Sequence, residues 1–146
     1  SLHDALQGKI LIDATARVDF RDPKPPDPPS AGRTAQNLLG AGTKVVAAFQ
    51  NTPAHVLKKN IGEPLDFDVL VCADDRAAAE EAIQLAEAAG MRGFYAGGLD
   101  NALVVEGITS LLISLNKAYG IKTASIQVTG LPQKVGQAQK QAAGGE

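Results

Sequence analysis

The sequence predicts an α/β fold, a doubly wound parallel sheet. Three observations predict it. Short apolar runs without polar alternation recur at Lys9–Ala14, Lys44–Phe49 and Phe67–Cys72, as expected of strands buried on both faces. Helical segments stand between and after them, the arrangement that joins parallel strands through crossovers. Glycines and capping residues fall at the boundaries of these segments.

In chain order, Leu2 to Leu6 reads as a helical turn stopped at Gly8, and the first strand follows it. A loop from Thr15 to Pro29 then holds five of the eight prolines. Ser30 caps a short helix over 31–39, closed by Gly40, and Lys44 opens the second strand. Residues 50–64 read as irregular, with one helical turn at 54–58. After the third strand, Asp74 or Asp75 caps a helix that runs to about Ala89 and stops at Gly90. Arg92–Tyr95 forms a short fourth strand. The longest helix spans 101–119, roughly 28 Å at 1.5 Å per residue. Ser125–Val128 reads as a last strand, and the Gln/Ala/Lys/Gly stretch from Gln133 as disordered.

The composition narrows the function. A chain of 146 residues with 45% hydrophobic residues and a net charge of -2 folds as one domain with a real core. A pI near 5.7 gives no electrostatic footprint for nucleic acid or an anionic membrane. Cys72 is the single cysteine, so an internal disulfide framework and a multi-cysteine metal site are excluded, and a cytoplasmic location is expected. His3 and His55 lack metal-ligand spacing, and no metal is expected.

Several motifs have plain structural explanations. Gly40-Ala41-Gly42 follows a helix and precedes a strand, the reverse of a phosphate-binding loop, and the sixth position is Val45. Asp74-Asp75 suits helix capping, Glu80-Glu81 a solvated helical face, and Cys72 a small buried hydrophobe. The proline-rich loop leaves the carboxyl end of the first strand, where ligands of open α/β sheets bind, and reads as a stiff flap beside a crevice; a polyproline docking ligand is the alternative. The helix 101–119 is apolar almost all round, interrupted by Glu106, Asn116 and Lys117. It requires cover on several sides, from a second subunit or from the core.

Four segments taken in order are more specific than any one: Val45 to His55 (VVAAFQNTPAH), Asp68 to Asp75 (DVLVCADD), Ala96 to Ala102 (AGGLDNA) and Glu106 to Leu112 (EGITSLL), with Ile126 to Leu131 behind them. Together they resemble the NADPH-dependent reductases of the deazaflavin coenzyme F-420, over most of residues 1–131. The resemblance implies a partial Rossmann-like sheet with a small C-terminal α/β cap, and NADP and coenzyme F-420 as its redox coenzymes. It implies hydride transfer between them, chemistry that asks for ring stacking and exclusion of water rather than side-chain acid or base groups. It also implies a homodimer, here through the 101–119 helix.

Carried over by position, the cofactor-binding residues are Gln50, Asn51, Thr52, Pro53, Ala54 and His55, then Gly97, Gly98 and Leu99, and Thr109 and Ser110. Family members often carry His or Asn where Gln50 stands. The resemblance divides the chain into the remainder of a dinucleotide-binding domain at 1–50, a deazaflavin-binding and dimerisation portion at 51–131, and a tail at 132–146. The family's glycine-rich phosphate loop lies on a first βαβ unit that has no counterpart among these residues, and the sequence begins without methionine. It therefore reads as the C-terminal two-thirds of such a reductase, with an unpaired edge on its first strand. A complete, non-catalytic binding or dimerisation module and a related reductase with another acceptor are the alternatives.

Overall fold

Each apolar run becomes a strand. The computed structural model describes residues 1–132, and the tail from Gln133 lies outside the described residues. Helix α1 (Leu2–Leu6) is capped by Ser1 through a reciprocal pair with Asp4 and leads into β1 (Ile10–Asp13). Then come α2 (Ala31–Leu39), β2 (Lys44–Ala47), α3 (Ala54–Lys59), β3 (Asp68–Ala73), α4 (Arg76–Ala88) and β4 (Arg92–Tyr95). A 3-10 turn (Leu99–Asn101) feeds α5 (Ala102–Tyr119). Ser30 and Asp75 cap α2 and α4 by accepting from the backbone N–H groups of Arg33 and Ala78.

The strands form one sheet in the order β1-β2-β3-β4. The α/β class is as expected, but the sheet is mixed. β1–β2 and β3–β4 are parallel, whereas β2 and β3 are antiparallel, with Val46 opposite Ala73 and Ala47 opposite Cys72. The reason lies in the connection. A parallel return needs a crossover spanning the strand length, and α3, with six residues, rises only about 9 Å. The chain leaves β2 and enters β3 at the same end of the sheet.

Alternation along β2 feeds two cores. Val46 and Ala48 join Val69, Val71, Ala78, Ala79, Ala82 and Ile83 beneath α4. Val45 and Ala47 join Cys72, Leu99, Ala102 and Val105 beneath α2 and α5. Helix α4 approaches β4 so closely that a Cβ on Gly93 would lie 3.1 Å from the Cα of Ile83. Cys72 is fully buried, and desolvation pushes its thiol up to about 11.

Three further expectations are corrected or refined. Ser125–Val128 forms no strand, because the Asp68 side chain takes the place of ladder partners. Its Oδ2 accepts from the Val128 N–H at 2.6 Å while the Asp68 N–H donates to the Ile126 carbonyl. Arg92 grips both oxygens of the same carboxylate at 2.8 and 2.7 Å and reaches the Val128 carbonyl. Helix α5 is covered on one face only; Val104, Leu111, Leu115 and Tyr119 make an exposed apolar stripe at helical spacing. The sheet also crosses the expected division at residue 50, through the β2–β3 pairing.

Candidate functional site

Past Ala47 the chain continues to Phe49, whose φ of 72° places a non-glycine residue in the left-handed region. That turn is closed by the Thr52 N–H donating to the Phe49 carbonyl at 3.2 Å, and Phe49 packs against the α4-side core. The turn swings Gln50, Asn51 and Thr52 out of the sheet towards α5. Pro53 then starts α3, which presents His55.

Helix α5 fixes this loop. The Asn51 amide donates to the Val105 carbonyl and to the Thr109 hydroxyl, both at 3.0 Å, and Thr109 in turn donates to the Gln50 carbonyl at 2.9 Å. Of the four side-chain oxygens buried without a hydrogen-bond partner among the described residues, three lie in this loop: Gln50 Oε1, Asn51 Oδ1 and Thr52 Oγ1. Each such group costs about 1–3 kcal/mol. Three on consecutive residues leave this loop short of donors, and the atoms lie buried within it.

They belong to a loop that bounds a cavity of about 470 Å³, within the size range of small-molecule sites. One wall is the strap after β1, contributing Ala14, Ala16, Val18 and Phe20. The opposite wall is α5, with Thr109, Leu112, Ile113 and Asn116, and Lys122 and Ala124 complete the outer end. The strap is pinned to α5 from outside. Ser110 Oγ donates to the Lys24 carbonyl at 2.7 Å, and the fully buried Glu106 accepts from Arg17 Nε at 3.0 Å and from the Ala31 N–H at 2.6 Å. Glu106 thus caps the start of α2 and holds the strap with one carboxylate.

The cleft therefore gathers Gln50 to His55 and Thr109. Ser110 sits behind it, buried, as a fastener of the strap. Gly97, Gly98 and Leu99 do not line it, because the antiparallel pairing sends the carboxyl ends of β3 and β4 towards the start of β2. There the Leu99 N–H donates to Asp74, and Arg33 bridges Asp74 and Asp100 at 2.8 and 2.7 Å. The Leu99 N–H, followed by Arg33, holds the Asp74 carboxyl below its ordinary range. Sequence reasoning treated Glu106 and Asn116 only as breaks in an apolar helix. Their signal was a charged or amide side chain within a helix otherwise apolar on every side. Among the described residues no group of three or more His, Cys, Asp or Glu could hold a metal, and no helix is long and apolar enough to cross a membrane.

The sequence and the fold have counterparts among known proteins. The chain is 40% identical over 142 residues to the F420-dependent NADP reductase of Methanothermobacter thermautotrophicus, covering 92% of this chain and 61% of the relative. It is 42% identical to that of Methanothermobacter marburgensis, covering 91% and 62%, and 38% identical to that of Methanocaldococcus jannaschii, covering 89% and 60%. The chain is thus similar in sequence to F420-dependent NADP reductases. It spans about three-fifths of the length of these curated relatives. Its fold matches the crystal structure of a protein from Arthrobacter sp. FB24 with a TM-score of 0.72 at 24% identity, over 88% of this chain and 61% of that one. A hypothetical protein from Sinorhizobium meliloti matches with a TM-score of 0.53 at 24% identity, over 73% and 54%. No family model matches the sequence.

Proposed function

We propose that these residues form the deazaflavin-side wall of a reductase that moves a hydride between NADP(H) and coenzyme F-420. The observation that carries the reading is the cleft that gathers Gln50 to His55 with Thr109 of α5, together with similarity to proteins named for both coenzymes; the loop's three unpartnered oxygens lie buried beside it. The residues fit such a group. The oxygens of Gln50 and Asn51 accept, and the Thr52 hydroxyl accepts or donates, matching the N–H and carbonyl edge of a heterocycle or carboxamide. When bound, the deazaflavin supplies a carbon that takes or gives hydride. The protein's part is to orient the ring through these three side chains and to keep water away with the apolar strap and the Leu112–Ile113 wall. No side chain of the cleft is assigned acid or base work.

Exposed Val104, Leu111, Leu115 and Tyr119 on α5 support a homodimer through this helix. Sedimentation tests it: the chain runs as a dimer and Leu111→Glu as a monomer, and a monomeric parent chain refutes the interface.

The coenzyme reading is tested by titrating the chain with coenzyme F-420 and following its fluorescence. Gln50→Leu, which removes an acceptor of the cleft, weakens binding about five- to thirtyfold, the equivalent of roughly 1–2 kcal/mol. With NADPH added, bleaching of the deazaflavin's visible band reports hydride transfer. Failure of the chain to bind either coenzyme overturns the proposal.

A further inference from the structure

The cleft does not end at Lys122. It opens into a second groove of about 590 Å³ that shares Phe20, His55, Ile113, Asn116 and Lys122 with it and adds Lys117 and Ile121. The inner half is bounded by the amide and hydroxyl residues Gln50 to Thr52, whereas the outer half carries cations. No aspartate or glutamate lines either part, although the chain has 16 acidic residues against 14 basic ones. Gly120, which ends α5, also borders the outer groove. It brings the negative end of the helix dipole, equivalent to about half a charge, and the two lysines outweigh it. The Lys117 ammonium donates to the Arg21 carbonyl at 3.2 Å, which steadies its head at the groove without neutralising it. Phe20 and Ile121 give the groove apolar flanks.

We infer that the groove is a subsite for an anionic tail, phosphate or carboxylate, of the same molecule whose ring end occupies the Gln50–Thr52 cleft. This inference rests on the coenzyme reading above and adds to it a division of labour. The inner half selects a heterocyclic edge by hydrogen bonds, and the outer half selects charge. Two coenzymes bring anionic groups to such a place, the deazaflavin through its tail and NADP(H) through its phosphates, and binding measurements tell them apart.

The probes are coenzyme F-420, the same deazaflavin cut back to its ring and ribityl chain, and NADPH, each titrated against the 146-residue chain and against Lys122→Ala and Lys117→Ala/Lys122→Ala. Wild-type chain is expected to bind coenzyme F-420 more tightly than the tail-less form. The double variant reduces that ratio about three- to tenfold, in line with two exposed charge contacts. The preference also shrinks with added salt in the wild type and much less in the variant. A loss confined to NADPH overturns the shared occupancy, since the anion held by the lysines would then belong to the nicotinamide coenzyme and not to the molecule whose ring fills the cleft. Equal affinity for the two deazaflavins in the wild type, with all three probes indifferent to the lysine variants, overturns the subsite and leaves the cleft reading standing. Absence of binding by all three probes overturns the cleft reading itself and the subsite with it.

Discussion

On one side of the sheet, α4 lays Ala78, Ala79, Ala82, Ile83 and Ala86 against Val46, Val69 and Val71. On the other, a carboxylate, two hydroxyls and an amide tie α5 to the strap, to α2 and to the 50–52 loop. The first side is held by close fit between small apolar groups, an interaction without direction and spread over many atoms. The second adds to a smaller core of Val45, Ala47, Cys72, Leu99, Ala102 and Val105 a few directed bonds, and Arg17 and Glu106 meet across 89 positions of sequence. The difference suits the work of each side. A surface that must leave an open cleft cannot fill its space with side chains, so it is positioned by bonds at its margin instead.

The hardest test of that contrast is Glu106→Ala. Its loss leaves the exposed Arg17 and the Ala31 N–H at the start of α2 without the anion they share, two charge-assisted hydrogen bonds at a cost of about 3 kcal/mol. A fall in Tm of roughly 6–12 °C is expected in a thermal melt, and Glu106→Gln, which still accepts a hydrogen bond, loses about half as much. Trypsin should also cut the strap of Glu106→Ala faster at Arg17 and Arg21. A variant that melts with the wild type and keeps its strap protected would show that packing alone holds this side.

Gly93→Ala probes the apolar side in the same way. The new methyl meets the α4 backbone at Ile83, which cannot move aside as a side-chain tip would, and overpacking of this kind costs about 1–3 kcal/mol. Denaturant midpoints measure it. A cost near zero would mean that α4 slides freely on β4 and that the fit there is loose. Ser30→Ala falls between the two sides, since it removes the hydroxyl cap of α2 but leaves Glu106 on the adjacent N–H. The expected loss is about 1 kcal/mol, and a much larger one would show that the two caps act as a unit.

The apolar side was also the legible one. The runs at 44–49 and 67–72, the cap Ser30, the Asp74–Asp75 pair that holds the other cap, and the helix stops could be placed from residue type alone, because burial and capping are local properties. The antiparallel β2–β3 pair was not legible. Nothing in residues 50–67 marks a connection that returns to its own end, apart from the shortness of its helix. That one reversal separates Gly97 to Leu99 from the cleft while leaving Gln50 to His55 and Thr109 together. The fastening of the strap was hidden for a related reason. A buried glutamate in an apolar helix announces that a partner exists, but only the fold names Arg17 and Ala31.

The smallest expected effect concerns the charged cluster at the far end of the sheet, where Asp74 joins α2 and the turn before α5. Its carboxyl is held below the ordinary aspartate value by the Leu99 N–H and then by Arg33, while Arg33 is raised and stays charged throughout. As pH falls below about 4, the usual aspartate value, the unfolded chain takes up this proton before the folded one. The stabilisation is thus complete above that pH and drains away as pH drops through the folded value. Asp74 is more than half exposed, at 55%, so solvent screens the pair and the effect is modest. Urea midpoints of wild type and Asp74→Asn, compared at pH 7 and at pH 3, isolate it from the other acids. The wild type should lead at pH 7, and the gap should narrow at pH 3. Equal midpoints at both pH values would show that Asp74 acts through the Leu99 hydrogen bond alone, which the asparagine oxygen keeps, and that charge does nothing to join the two sides of the sheet here.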